Sequence, residues 1–207
     1  MSEPRAQAEA VDVVVPGVRH WSVHDDRIEW RSDAYAITGP AGTVLIDPLP
    51  LADAAFAPLG PVAAVCLTIQ SHQRSAWRYR RAFGVPVYAP RGAAGLEEKP
   101  DVWYDDGSKL PGGLRAIHAP GPCDASYAFL LSGTNGGVLF VGDLLTGTSS
   151  HKLGFVPDEY QDAPGQTRES VRALLSEPFE SVCSGHAAPI AHSGRAAIEQ
   201  ALANDTA

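Results

Sequence analysis

Three stretches of the sequence place a side chain able to do chemistry directly after a short apolar run. His72 follows "PVAAVCLTI", Asp143 follows "LFVG" and His186 follows "SVCSG". A single histidine beside a strand is more often structural than functional, so the shared location is what indicates a site. Two imidazoles and a carboxylate can bind a divalent metal ion, or can work as a base with an orienting acid. A fourth stretch, "HAPGPCDAS", adds Cys123 as a candidate pocket residue.

The segments around these residues predict a mixture of strands and helices. Apolar runs bounded by turn residues predict strands in "IEWRSDAYAITG", "GTVLIDPLP", "PVAAVCLTI", "VPVYAP", "LRAIHAP", "SYAFLLSG", "GVLFVGDLL" and "ESVCSG". Helical spacing predicts helices in "SAWRYRRAFG", "GQTRESVRALLSEPF" and "RAAIEQALAN". Because several strands arrive at hairpin spacing, the pattern favours an α/β fold with two mixed sheets and outer helices. We expect a flexible N-terminal tail over residues 1–12 and one domain over residues 13–207.

Composition narrows the classes of partner and compartment. The 207 residues are 44% hydrophobic and carry a formal net charge of -8, which argues against a nucleic-acid or anionic-membrane surface. No apolar run reaches the roughly 20 residues that span a bilayer, and the polar N-terminus does not resemble a signal peptide, so we predict a cytoplasmic protein. Three cysteines without a CxxC pair support neither a disulfide framework nor a zinc ribbon. A homodimer is compatible with a chain of this length.

Taken in order, these stretches resemble the metallo-β-lactamase fold of hydrolases, which includes glyoxalase II-like thioesterases and lactonases. The similarity lies in "SDAYAITGPAGTVLIDP" with its turn at Asp47, "LTIQSHQRSAWRYRRAFGVPVYAP", "DDGSKLPGGLRAIHAPGP", "VLFVGDLL" and "VCSGHAAPI". It therefore covers nearly the whole chain, from Trp30 to His192. The resemblance implies an αββα sandwich, with two mixed β-sheets inside and helices outside.

The sequence departs from the metal-binding pattern of that family. The family signature is His-x-His-x-Asp-His, and alignment on His72 puts Gln70, Arg74 and Ser75 at the other three ligand positions. The family's Pro-Gly-His is here Pro-Gly-Pro, ending at Pro122. Four ligand positions of a two-metal centre are therefore changed, and we expect a rewired, metal-poor site.

Three arrangements of the retained residues and Arg74 stay open at this point. One divalent ion, either zinc, iron or manganese, could be held by His72, Asp143 and His186 together. Alternatively the Arg74 guanidinium points inward, pairs with Asp143 and keeps metal out, since two unit charges about 4 Å apart attract by roughly 4 kcal/mol at an effective dielectric of ~20. A third reading has Arg74 extended outward into solvent.

The remaining candidates are pocket residues and isolated histidines. Gln70, Ser75 and Cys123 are predicted to line the substrate pocket. His118 is predicted to be structural at a strand end. Four histidines outside the motifs are predicted to lie on the surface, and one of them, His151, is near enough to the Asp143 loop to line the pocket: His20, His24, His151 and His192.

Two functions fit this pattern, and the sequence leaves open whether the protein is an enzyme. The first is a hydrolase acting on an ester, thioester or lactone of a small metabolite. In its metal-free form His72 or His186 is the base, Asp143 orients it and Arg74 stabilises the oxyanion. The alternative is a non-catalytic binding or regulatory module that kept the fold and lost the metal centre.

Overall fold

Two β-sheets face each other in the computed structural model, which describes residues 3–133, 136–150 and 152–205. The first sheet has the strand order β1-β2-β3-β4-β5-β6-β7. Its first four strands are antiparallel and its last four, from β4 onward, are parallel. Its strands are β1 (Asp12–Val15), β2 (Val18–Asp25), β3 (Trp30–Gly39), β4 (Gly42–Ile46), β5 (Val62–Cys66), β6 (Val87–Pro90) and β7 (Val102–Tyr104).

The second sheet is built around one long strand. That strand, β10, pairs antiparallel with β9 and β11 and parallel with β12, while β8 pairs with β9. The strands are β8 (Leu114–His118), β9 (Tyr127–Leu131), β10 (Val138–Gly147), β11 (Leu153–Gly154) and β12 (Ser181–His186). The helices are α1 (Ala76–Phe83), α2 (Pro164–Leu174) and α3 (Gly194–Asn204). In the ranges described, none of the helices is long and apolar enough to cross a membrane.

The continuous apolar runs in the sequence arise because the central strands are buried on both faces. In β4, Ile46 packs into the core between the sheets, whereas Leu45 packs into a core with α1. In β10, Phe140 lies between the sheets and Leu139 packs with α2 and α3. Side chains of a strand alternate between faces, so each run supplies two hydrophobic layers. The predicted αββα sandwich is confirmed.

Strands β1, β2 and β7 add three members to the first sheet that the sequence patterns did not predict. Within the segment predicted as a tail, Ala8 forms a bridge to Leu51, and its backbone N–H donates to the Pro50 carbonyl oxygen at 3.0 Å. Glu3 reaches the loop before α1, where its carboxylate accepts a hydrogen bond from Ser75 Oγ at 2.7 Å. Glu3 and Ala8 therefore tie the segment before β1 to the domain.

The Pro-Gly-Pro loop is fixed against the start of α2. The Gly121 carbonyl oxygen accepts a hydrogen bond from Ala163 N at 2.9 Å, and the Pro120 carbonyl oxygen accepts one from Ser170 Oγ at 2.7 Å. Gly121 has a φ of +142°, and a Cβ added to it would lie 2.1 Å from Thr167 Oγ1 and 2.4 Å from Thr167 N. Only glycine allows the loop and the helix to approach this closely.

We expect Gly121→Ala to lower the free energy of unfolding by about 3 kcal/mol, because the methyl group must displace helix backbone. Gly165→Ala is the matched control. Its Cβ would meet nothing within 4 Å and it lies inside α2, so alanine should be neutral or stabilising by up to about 1 kcal/mol. Urea unfolding of both variants measures the difference, and equal midpoints would contradict this account of the loop.

Candidate metal centre

The ends of three strands bring His72, Asp143 and His186 together. His72 lies in a short 3-10 turn, Gln70–Gln73, shortly after β5 ends. Asp143 belongs to β10, next to an irregularity in its pairing with β12, and His186 is the last residue of β12. The turn after β5 of the first sheet thus places His72 beside Asp143 and His186 of the second sheet, at one edge of the sandwich. Ligand sites of α/β proteins commonly lie at such strand ends.

The potential ligand atoms of these three residues face a common point. His72 Nε2 lies 2.8 Å from Asp143 Oδ1, and His186 Nε2 lies 3.2 Å from the same oxygen. All three atoms lie within 4.8 Å of one another. Although His72 Nε2 and Asp143 Oδ1 are close and buried, neither has a partner placed for a hydrogen bond in the described part of the chain.

The opposite nitrogen of each imidazole is already committed to a protein acceptor. His72 Nδ1 lies 2.9 Å from Asp47 Oδ2, and His186 Nδ1 lies 2.7 Å from the carbonyl oxygen of Arg31. A carbonyl oxygen can only accept, so His186 must carry its proton on Nδ1. The Asp47 carboxylate imposes the same tautomer on His72. In metal sites such hydrogen bonds fix the ring and leave Nε2 as the ligand.

Three lone pairs therefore converge at the cluster when both histidines are neutral. Two are on the Nε2 atoms and the third is on Asp143 Oδ1, and they repel one another unless a cation lies among them. Two donors each about 2.1 Å from one ion stand about 3.0–3.4 Å apart at octahedral or tetrahedral angles. The observed separations of 2.8 and 3.2 Å are close to this range. The residues present fit one divalent metal ion bound by two histidines and a carboxylate.

The pKa values of the cluster reflect the same attraction to positive charge. Burial opposes ionisation of Asp143, but the charge of His72 and the contact with His186 outweigh it and hold the pKa of that carboxyl well below its usual range. Burial and the charge of Arg74 lower the pKa of His72, yet the carboxylates of Asp143 and Asp47 leave it raised. Asp143 is therefore ionised at neutral pH.

Access to the cluster is from the side of Asp143 and His186. Their side chains keep 20% and 14% of their surface exposed, whereas His72 keeps 3%. The ring of His72 is backed by Gly185, where an added Cβ would lie 2.6 Å from His72 Cε1. Ser71, next to His72, is exposed, and its hydroxyl donates to Asp143 Oδ2 at 3.3 Å.

Arg74 lies inside the protein but does not pair with Asp143. Its Nη1 donates to the carbonyl oxygens of Asp33 at 2.9 Å and Asp47 at 3.2 Å. Among the described residues it forms no ion pair within 4.0 Å, and it is 3% exposed. Burial lowers the pKa of Arg74, while the carboxylates of Asp47 and Asp143 act in the opposite direction. The outward reading of Arg74 is therefore wrong, and so is the expected Arg74–Asp143 pair.

The three predicted pocket residues divide between two surroundings. Gln70 begins the turn that holds His72, and Cys123 packs with Ile69, the residue before that turn. Burial raises the pKa of Cys123 to about 11, which keeps the thiol protonated at neutral pH. Ser75 is fully buried and its hydroxyl donates to Glu3, so it is directed to the N-terminal segment.

Sequence reasoning assigned no role to the residues that support the cluster. Asp47 was identified only as a family turn, yet its carboxylate accepts from the backbone and hydroxyl of Thr68 as well as from His72. Its φ of +48° at the end of β4 is unusual for a residue other than glycine. An aspartate directly after a buried strand was the available signal. The Arg31 acceptor is a backbone atom, which no side-chain pattern can reveal.

Among the histidines outside the cluster, the predicted surface position of His20 is wrong. It is 5% exposed and its Nε2 lies 2.6 Å from Asp33 Oδ1. His24 and His192 are exposed, as predicted. The His118 ring contacts Tyr127, as fits a structural residue at a strand end. The prediction for His151 concerns a residue outside the described ranges.

We expect Asp47→Asn to lower the pKa of His72 in chelator-treated protein, because the carboxylate that raises it is lost. Histidine resonances followed by NMR across pH measure this directly. Asp105→Asn removes a carboxylate that pairs with Arg91 at the surface and should leave the His72 titration unchanged. An unchanged His72 pKa in Asp47→Asn would rule out Asp47 as a carboxylate that supports the charged imidazole.

Comparisons with known proteins agree with this architecture. Residues 12–204 match the family model described as the metallo-beta-lactamase superfamily. A metallo-beta-lactamase from Pontibacter korlensis is similar in structure, with a TM-score of 0.74, 18% identity and coverage of 96% of this chain and 100% of the other. A metallo-beta-lactamase family protein from Thermus thermophilus has a TM-score of 0.65 at 19% identity, covering 91% and 79% of the two chains.

An archaeal superfamily protein from Sulfolobus tokodaii is also similar, with a TM-score of 0.66, 17% identity and coverage of 95% and 83%. At these identities the structural likenesses bear on the fold alone. No curated protein matches the sequence. Because the family model covers all but the ends of the chain, and the sandwich is the fold of its structural neighbours, this protein belongs to the metallo-β-lactamase superfamily.

Proposed function

We propose that this protein is a hydrolase that depends on one divalent ion held by His72, Asp143 and His186, and that it acts on an ester, thioester or lactone of a small metabolite. The observation that carries the proposal is the convergence of three lone pairs whose imidazoles are both fixed through Nδ1. The substrate class rests on the resemblance to thioesterases and lactonases of the superfamily.

The chain's own residues divide the work of hydrolysis. A bound zinc, iron or manganese ion would supply Lewis acidity and lower the pKa of a water molecule. Asp143 stays ionised and turns one oxygen toward the two histidines, which leaves Oδ2, beside Ser71 Oγ, to accept a hydrogen bond from the attacking water and orient it. Asp47 and the Arg31 carbonyl keep both imidazoles from rotating.

Substrate approaches on the open side of the cluster. Asp143 and His186 are partly exposed there, and the exposed Ser71 lies next to them, whereas His72 is buried behind. Gln70 begins the turn that holds His72 and Cys123 packs in a small cluster with Ile69 just before that turn, so the protonated thiol would give the pocket a small apolar wall. A neutral ester or thioester group is compatible with such a lining.

We expect purified protein to contain about one ion of zinc, iron or manganese per chain, and expect His72→Ala and Asp143→Asn to lose it, since two remaining ligands bind metal weakly. Elemental analysis measures the content. His24→Ala changes an exposed histidine outside the cluster and should keep the ion. A panel of esters, thioesters and lactones should be hydrolysed by the loaded protein, and this activity should be lost on chelation and restored by adding metal back.

The outcomes of this experiment separate the two functions. Metal content and hydrolysis that fall together in the ligand variants support the proposal. A protein that neither contains metal nor binds added Zn²⁺ in a calorimeter would refute the metal-dependent hydrolase. If that protein also fails to act on the whole panel, the binding or regulatory module becomes the better account.

A further inference from the structure

Two side chains close to the site, those of His186 and Arg74, donate hydrogen bonds to the same unpaired edge of β3. This strand pairs with β4 only from Tyr35 onward, so the carbonyl groups of Arg31 and Asp33 lie beyond the paired part. His186 Nδ1 donates to the Arg31 oxygen and Arg74 Nη1 donates to the Asp33 oxygen. Carbonyls two residues apart on a strand point to the same edge, roughly 6.8 Å from one another. The guanidinium and the His186 ring are therefore neighbours along that edge.

The same guanidinium nitrogen reaches the turn that holds the other histidine. Arg74 Nη1 lies 3.2 Å from the carbonyl oxygen of Asp47, whose carboxylate accepts from His72 Nδ1. One side chain thus joins the backbone that orients His186 to the backbone that orients His72. Among the described residues, Arg74 is the one whose side chain bonds to both of these segments.

The environment of Arg74 is energetically unfavourable, which argues against a role in stability alone. The residue is almost completely buried, and its Nε and Nη2 have no hydrogen-bond partner in the described part of the chain. Both Arg74 and Asp47 have positive φ values, of +32° and +48°. Buried unpartnered donors and left-handed backbone are unfavourable, and they concentrate at sites where geometry serves function.

We propose that Arg74 is the positioning residue of the metal centre, cross-linking the β3 edge to the Asp47 turn so that both imidazoles present Nε2 to the same ion. The proposal rests on the proposed function, because the ion is the one assigned there. A lysine is a poor replacement, because its side chain is one bond shorter than the path to Nη1, the atom that donates to both carbonyl groups, and its ammonium is not fixed in a rigid plane.

Arg74→Lys and Arg74→Gln test the proposal against a matched control in another part of the fold. Arg195 also joins two backbone carbonyls, donating from Nη1 to Leu175 and from Nη2 to Glu177, each at 2.6 Å. Arg195→Lys therefore reports what the loss of such a cross-link does to stability alone. All variants are made in the full chain, treated with chelator, and titrated with Zn²⁺ against a chromophoric competitor.

We expect both Arg74 variants to bind Zn²⁺ about 10–100-fold more weakly than wild type, the usual effect of disturbing the residues that orient metal ligands. Arg195→Lys should lower the melting temperature without changing Zn²⁺ affinity. In the metal-free proteins, long-range ¹H–¹⁵N NMR should show the Nδ1–H tautomer for His72 and His186 in wild type and Arg195→Lys. In Arg74→Lys at least one of the two rings should populate the Nε2–H tautomer.

Two results would overturn the positioning role of Arg74. The first is an Arg74→Lys protein with wild-type Zn²⁺ affinity and unchanged tautomers, which would reduce Arg74 to a structural residue or a simple charge. The second is a change of Zn²⁺ affinity in Arg195→Lys equal to that in the Arg74 variants. If wild type binds no Zn²⁺, the hydrolase proposal fails, while the tautomers of the metal-free proteins still decide the role of Arg74.

Discussion

In both His72 and His186 the Nδ1–H group donates to an acceptor of the protein, and the rest of the site depends on these two hydrogen bonds. Asp47 and the Arg31 carbonyl each take one imidazole N–H, and this leaves two Nε2 lone pairs and a carboxylate oxygen facing one another across 2.8 and 3.2 Å. Such a cluster of acceptors is unfavourable in a protein interior without positive charge. The fold therefore creates a place for a cation by fixing acceptors behind the ligands.

The two-sheet architecture is what makes this constraint possible. His72 and its acceptor Asp47 follow parallel neighbours of the first sheet, β5 and β4, so one sheet carries both a ligand and its support. Asp143 and His186 lie on the parallel pair β10 and β12 of the second sheet, but the acceptor for His186 is on β3 of the first. The Tyr35 hydroxyl adds a second link from β3, donating to the Ser184 carbonyl at 2.8 Å. Contacts between the two sheets thus determine the orientation of the His186 ring.

The fold and the three clustered residues could be predicted from the sequence because each is associated with a local sequence pattern. Apolar runs buried on two faces are recognisable, and so is a polar side chain that ends such a run. What could not be predicted depends on contacts distant in sequence: 155 positions separate His186 from the carbonyl it binds. His20 shows the same limit, since its burial follows from Asp33 across the β2–β3 ladder, which the sequence patterns did not include.

Three of the four altered ligand positions form hydrogen bonds within the fold, whereas Oε1 of the fourth, Gln70, is buried without a hydrogen-bond partner in the described part of the chain. Ser75 bonds to Glu3, the Pro122 carbonyl accepts from Asp162 N at 3.2 Å, and Arg74 holds two backbone carbonyls. The contacts of Ser75 and Arg74 depend on their side chains, whereas the contact at Pro122 is made by the backbone and does not depend on the residue type.

The charges around the cluster bear on whether the proposed centre would hold one metal ion or two. Asp47 and Asp143 carry two negative charges and Arg74 carries one positive charge, so the three side chains together are at -1. One divalent ion reverses this to +1, whereas a second ion would raise it to +3 in a buried setting. Uncompensated charge of that size is costly away from water, and the positive charge of Arg74 therefore supports the proposal of one ion over a centre with two.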